Sequence, residues 1–226
     1  MGCCVGKHLQ LDLSSEERAI CNQEAALGFQ NHSAAYITAV ASAHAADGKI
    51  EEQSFHVLLA ELSFSRKDLA QRDSPLSRLY GNVRNADGSV NLARFCLLAG
   101  LLGKGSTSER RRVLLEAVCP HSTRMLSATQ VRFLFDTVFA LACSTLPLLT
   151  EASHTLPGRT LDPPTLQAYL SRLQGSSVLA TRYTNMVLRD QQQVTVEAAE
   201  MTLQQEDLLG RGAVGLRQAV IANGLR

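Results

Sequence analysis

Three sets of residues carry the chemistry this sequence offers. The first is a pair of turns, Asp47-Gly48 and Asp87-Gly88, with Asn85 two residues before the second aspartate. Carboxylate and amide oxygens are ligands for a hard dication, which takes about 6–8 of them. The same side chains also close tight turns by accepting local N–H groups, while Gly48 and Gly88 supply positive φ. The turn role is the one expected for Asp47 and Asp87. The second set is Met1-Gly2-Cys3-Cys4. Loss of Met1 frees Gly2 for N-myristoylation and leaves Cys3 and Cys4 placed for palmitoylation, although Gly6 stands where the pattern prefers Ser or Thr. One acyl chain binds a membrane marginally; two make a stable anchor. The third set is Cys119-Pro120-His121, an imidazole close to a thiol. It is the arrangement of an activated nucleophile, but no orienting acid stands nearby, and ordinary loop residues are expected.

Other chemistries are excluded by pattern. The chain has no G-x-x-x-x-G-K-[ST] phosphate loop and no G-x-S-x-G elbow. Its six histidines make no H-x-x-x-H pair, and its six cysteines no C-x-x-C. No enzyme, cofactor or small-molecule substrate is therefore expected. The 22 basic and 21 acidic residues nearly cancel, which gives no electrostatic case for nucleic acid. Arg110-Arg111-Arg112 reads as a solvated helix face. Cys96 and Cys143 lie in apolar runs and read as small hydrophobes. Reduced thiols in a cytosolic compartment are expected, since no secretory leader precedes them. The best apolar stretch, Val138 to Leu149, is interrupted by Ser144, Thr145 and Pro147 and reads as too short to span a bilayer.

These residues must be held by helices, because Ala and Leu dominate and aromatics are only 5 %. An internal repeat says how. Each Asp-Gly is followed two residues after the glycine by an apolar residue, Ile50 or Val90, and then by Phe55 or Phe95. Carried onward, the same template selects Leu126 and Leu161, giving steps of 40, 36 and 35. The next residues are Glu51, Asn91, Ser127 and Asp162, three of them good N-caps. Eight residues after each apolar residue come Leu58, Leu98, Leu134 and Tyr169, the inward face of an outgoing helix. Each apolar residue is expected to pair with its twin in the neighbouring loop, Ile50 with Val90 and Leu126 with Leu161.

Over roughly residues 15 to 175 this pattern resembles the EF-hand superfamily in the four-unit arrangement of calmodulin, calcineurin B and the neuronal calcium sensors. A weaker resemblance is to the helical N-terminal region of myristoylated TLDc proteins. The EF-hand resemblance implies a calcium loop in each unit, with oxygen ligands at positions 1, 3 and 5 and a bidentate Glu at 12. With the key apolar residue at position 8, position 12 holds Ser54, Arg94, Gln130 and Thr165. None of the loops has more than one carboxylate among these four positions. Loop two, with Asn85 and Asp87, is the best remnant, and no metal ligation is expected.

The fold class expected is all-α: paired helix-loop-helix, EF-hand-like units with a helical C-terminal extension. Residues 1–13 form the acylation segment, 14–103 the first pair, 106–175 the second pair and 176–226 the extension, with Gly103 to Ser106 as a linker. Ser14 to about His44 reads as one helical stretch. The function implied is a calcium-independent, lipid-anchored adaptor at the cytoplasmic face of a membrane, holding an amphipathic helix of a protein partner. The alternatives are an accessory subunit of a large organellar or ciliary complex and a weak calcium sensor using loop two.

Overall fold

The computed structural model describes residues 13–64, 75–119, 124–152, 160–206 and 209–224. Gly2, Cys3, Cys4 and His121 lie outside them. The described residues are mostly helical, with two short β-ladders among them.

Helix α1 (Ser15–Ala26) begins at Ser14, whose Oγ accepts from the Glu17 N–H at 3.2 Å. The helical stretch expected from Ser14 to about His44 is broken at Gly28. There φ is +85°, and a Cβ would meet the Phe64 ring at 3.1 Å. Left-handed glycine ends helices because it lacks that Cβ. A 3₁₀ turn follows, and α2 (Ala34–Ala43) restarts on a Ser33 cap. The first unit continues through β1 (Lys49–Ile50) into α3 (Glu52–Glu61). The second runs from α4 (Pro75–Val83) through β2 (Val90–Asn91) into α5 (Leu92–Leu102). Strands β1 and β2 pair antiparallel with Ile50 opposite Val90, as the repeat requires.

The third unit is α6 (Thr107–Glu116), β3 (Met125–Ser127) and α7 (Ala128–Ala140). Its strand does not pair with Leu161. Leu126 faces Val194, in β4 (Gln193–Thr195), between α10 (Ser176–Leu188) and α11 (Val196–Glu206). One local difference is a missing donor. In three loops the residue two after the key apolar residue donates its N–H across the ladder: Leu92 to Gly48, Ala128 to Gln192 and Val196 to Arg124. Two residues after Leu161 stands Pro163, which has no N–H to give. Asp162 still caps a helix, accepting from Thr165 N at 3.0 Å at the start of α9 (Pro163–Arg172), with Leu166 and Tyr169 buried. The helix forms as expected, while Leu161 and Asp162 lie in no strand.

Between α7 and α9 the helix continues as a π turn (Leu141–Thr145) and α8 (Leu146–Ala152). Ser144, Thr145 and Pro147 therefore do not interrupt it, contrary to expectation. The run Ala128–Glu151 has 24 residues, and its mean hydropathy reaches 1.6 over its most apolar stretch. It is long and apolar enough to cross a bilayer, but 61 % of that stretch is buried by the rest of the chain, as in a core helix.

A contiguous apolar cluster extends from Ile20 to Val220, so all the expected segments from 14 onward share it. Helix α5 lies at its centre, buried at every position from Phe95 to Leu102. The expected linker is a built joint: Ala34 N–H donates to Lys104 O at 2.7 Å and Lys104 N–H to His32 O at 2.9 Å. Gly103 lies so close to Ala34 that a Cβ would come within 2.8 Å of its Cα. Arg111 is likewise buried rather than solvated, because it shares a face of α6 with Leu114 and Leu115. The last element, α12 (Gly212–Gly224), packs against the π turn, α5 and α9.

Candidate functional site

The paired loops use two of the expected oxygen donors, Asp87 and Asn85, internally. Asp47 and Gly48 take positive φ, +50° and +74°, and Gly88 takes +87°. Asp87 Oδ1 accepts from the Ser89 N–H at 3.0 Å and from Ser89 Oγ at 2.6 Å. Its other oxygen, Oδ2, accepts from Lys49 Nζ at 2.7 Å, across the β1–β2 ladder. The Lys49 ammonium, and then the Ser89 donors, hold the Asp87 carboxyl well below the usual carboxylate range. The same hydrogen bond raises Lys49. Asn85 Nδ2 donates to Ser89 Oγ at 2.9 Å, and Asn85 Oδ1 accepts from Asn91 at 3.3 Å. Arg84 Nη1 donates to the Gly88 carbonyl at 3.0 Å. A metal at loop two would have to displace these donors. Among the described residues, no group of three or more His, Cys, Asp or Glu side chains is placed to hold a metal ion.

Cys119 borders a cleft of about 470 Å³ lined by Arg112, Glu116, Arg124, Glu197 and Glu200. Partial burial, then Glu116 and Glu197, push its thiol up. That favours the weakly reactive thiol over the thiolate nucleophile. Cys96 and Cys143 are buried, and desolvation takes each to about 12, in keeping with their expected role as small hydrophobes.

The densest polar cluster was not foreseen from the sequence. Arg217 of α12 is fully buried. Its Nε and Nη2 donate to Glu17 Oε1 at 2.8 and 2.6 Å, and its Nη1 to Glu24 Oε1 at 2.6 Å. Tyr169 donates its hydroxyl to Glu17 Oε2. Nη1 also reaches the Ala142 carbonyl at 3.2 Å. That carbonyl is available because of the π turn. Leu146 N–H, the ordinary α-helical donor to Ala142, bonds Leu141 O instead, and the next residue is Pro147, with no N–H. Burial raises the Glu24 carboxyl against the pull of Arg217. Burial works to lower Arg217 too, but Glu24 and Glu17 outweigh it and hold the guanidinium charged. A signal did exist in the sequence. Glu17, Ile20 and Glu24 follow i, i+3, i+7 on one face of α1, and Arg217 is the lone charge between Gly212 and Val220.

In comparisons with protein-family models, with curated proteins and with solved structures, the chain matches none.

Proposed function

We propose that this chain is a non-enzymatic, calcium-independent, EF-hand-like adaptor that binds a helical segment of a protein partner, anchored at the cytoplasmic face of a membrane through acyl groups on Gly2, Cys3 and Cys4. The observation that carries the reading is the Lys49 ammonium seated on Asp87 at 2.7 Å, a cation of the chain's own in the loop where a metal would act. Two further features support it. Helix-loop-helix units pair through short antiparallel ladders, and α12 packs across their helices as a peptide helix would. Loops already closed by protein donors keep the helix pairs in one arrangement whether or not calcium is present.

The test is proximity labelling by the full chain in cells, with calcium raised or chelated, combined with fractionation. The expected result is one set of labelled partners under both conditions and a wild-type chain in the membrane fraction. Gly2→Ala should move it to the soluble fraction, and Cys3→Ser with Cys4→Ser should weaken retention more than either alone, since one acyl chain is marginal. Partners labelled only with calcium would make the protein a sensor. Wild type and Gly2→Ala fractionating alike would remove the anchor.

A further inference from the structure

The three groups that hold Arg217 belong to elements other than α12, Glu17 and Glu24 to α1 and Ala142 to the π turn, and Tyr169 of α9 in turn donates to Glu17. Together they form a receptacle for the Arg217 guanidinium. Its donor requirement is narrow. Glu17 is met by Nε and Nη2, while Glu24 and the Ala142 carbonyl are met by Nη1. A planar, forked cation satisfies all three at once; a lysine ammonium has a single nitrogen and cannot stand at both places. The approach to the receptacle is equally selective. At Gly212, where φ is +68°, a Cβ would lie 2.8 Å from the Leu101 carbonyl, and at Gly210 it would overlap the Thr107 side chain. Ala213, Leu216 and Val220 are buried on either side of the arginine.

We infer that this receptacle is a guanidinium-specific helix site, that α12 is its resident occupant, and that a competing partner helix carries an arginine flanked as Arg217 is. Such a helix has small residues about one turn before the arginine, an apolar residue just before it and another three after it. The inference rests on the helix-binding reading above and names the chemistry of the partner. A helix without the arginine would leave Glu17 and Glu24 buried without their cation, which costs far more than a lost surface contact.

The test uses the full chain with a protease site inserted between Glu206 and Leu209 and cut after purification. A fluorescent peptide of residues 209–226 is exchanged into the nicked chain and competed with the same peptide bearing arginine or its neutral isostere citrulline at position 217. The arginine peptide should compete about 100-fold or more better. Equal competition would overturn guanidinium recognition and leave helix binding standing; exchange of neither peptide would overturn both. If nicking abolishes helix content, the intact chain with excess photo-cross-linking peptide carries the same comparison. Preferential labelling by the arginine peptide supports the site, and equal or no labelling overturns it.

Discussion

Arg217 shows how much one side chain can settle. Breaking a buried ion pair by removing one partner costs about 3–5 kcal/mol, because the other charge stays buried. Arg217→Met is expected to destabilise by that amount in urea titration, and Arg217→Lys to restore little of it. Glu24 gives a pH signature. Its folded-state value is raised above 4.5 by burial, so between the unfolded and folded values the native chain binds the extra proton. Its contribution to stability is full below the unfolded value and is lost as pH rises through the folded value. Glu24→Gln should remove that decline when melting temperature is followed upward from about pH 4.5. An unchanged profile would mean that Glu24 stays ionised beside Arg217. None of these partners was legible as a set, because Glu17 and Arg217 lie 200 residues apart in the chain and only packing joins them.

At the scale of elements, the repeat was legible where large residues mark it. Ile50, Val90 and Leu126 are buried, as are the phenylalanines, valine and leucines that follow them at five and eight residues. Ser127 and Gln130 close the expected capping box, with Ser127 N–H donating to Gln130 Oε1 at 2.8 Å. The unit that pairs with Leu126 was hidden because small and polar residues, Ala199 and Thr202, stand where the others have Phe, Val or Leu. Asp162 with two prolines imitated a loop exit more strongly than Thr195 did. Val194→Ala should therefore cost about 2 kcal/mol, while Leu161→Ala, outside any ladder, should cost less than about 1 kcal/mol. Urea denaturation of both reads the difference, and a larger cost at Leu161 would contradict the observed register. The Gly28 break and the π turn were illegible for another reason. A single glycine or proline is compatible with several local outcomes, and contacts with Phe64 and Arg217 choose among them.

For the whole molecule, a shared apolar cluster, two loop ladders and a buried charge group join the ends of the described chain. Loop two is where this arrangement and a calcium sensor part company. In a sensor the acidic oxygens await a dication; here Lys49 already donates to the Asp87 carboxylate, and Arg84 to the Gly88 carbonyl. Arg94, at the position of the bidentate acid, adds a further cation to that loop. Ligand stabilisation follows RT ln(1 + [L]/Kd), so a site of about 10 μM would add roughly 2.7 kcal/mol at 1 mM calcium. That is a shift of several degrees in a domain of this size. The direct measurement is the melting temperature of the full chain with and without roughly 1 mM calcium at constant ionic strength. The expected result is no shift, in wild type and in Asp87→Ala alike; a calcium-dependent rise in wild type that Asp87→Ala abolishes would contradict calcium independence and make loop two a sensor.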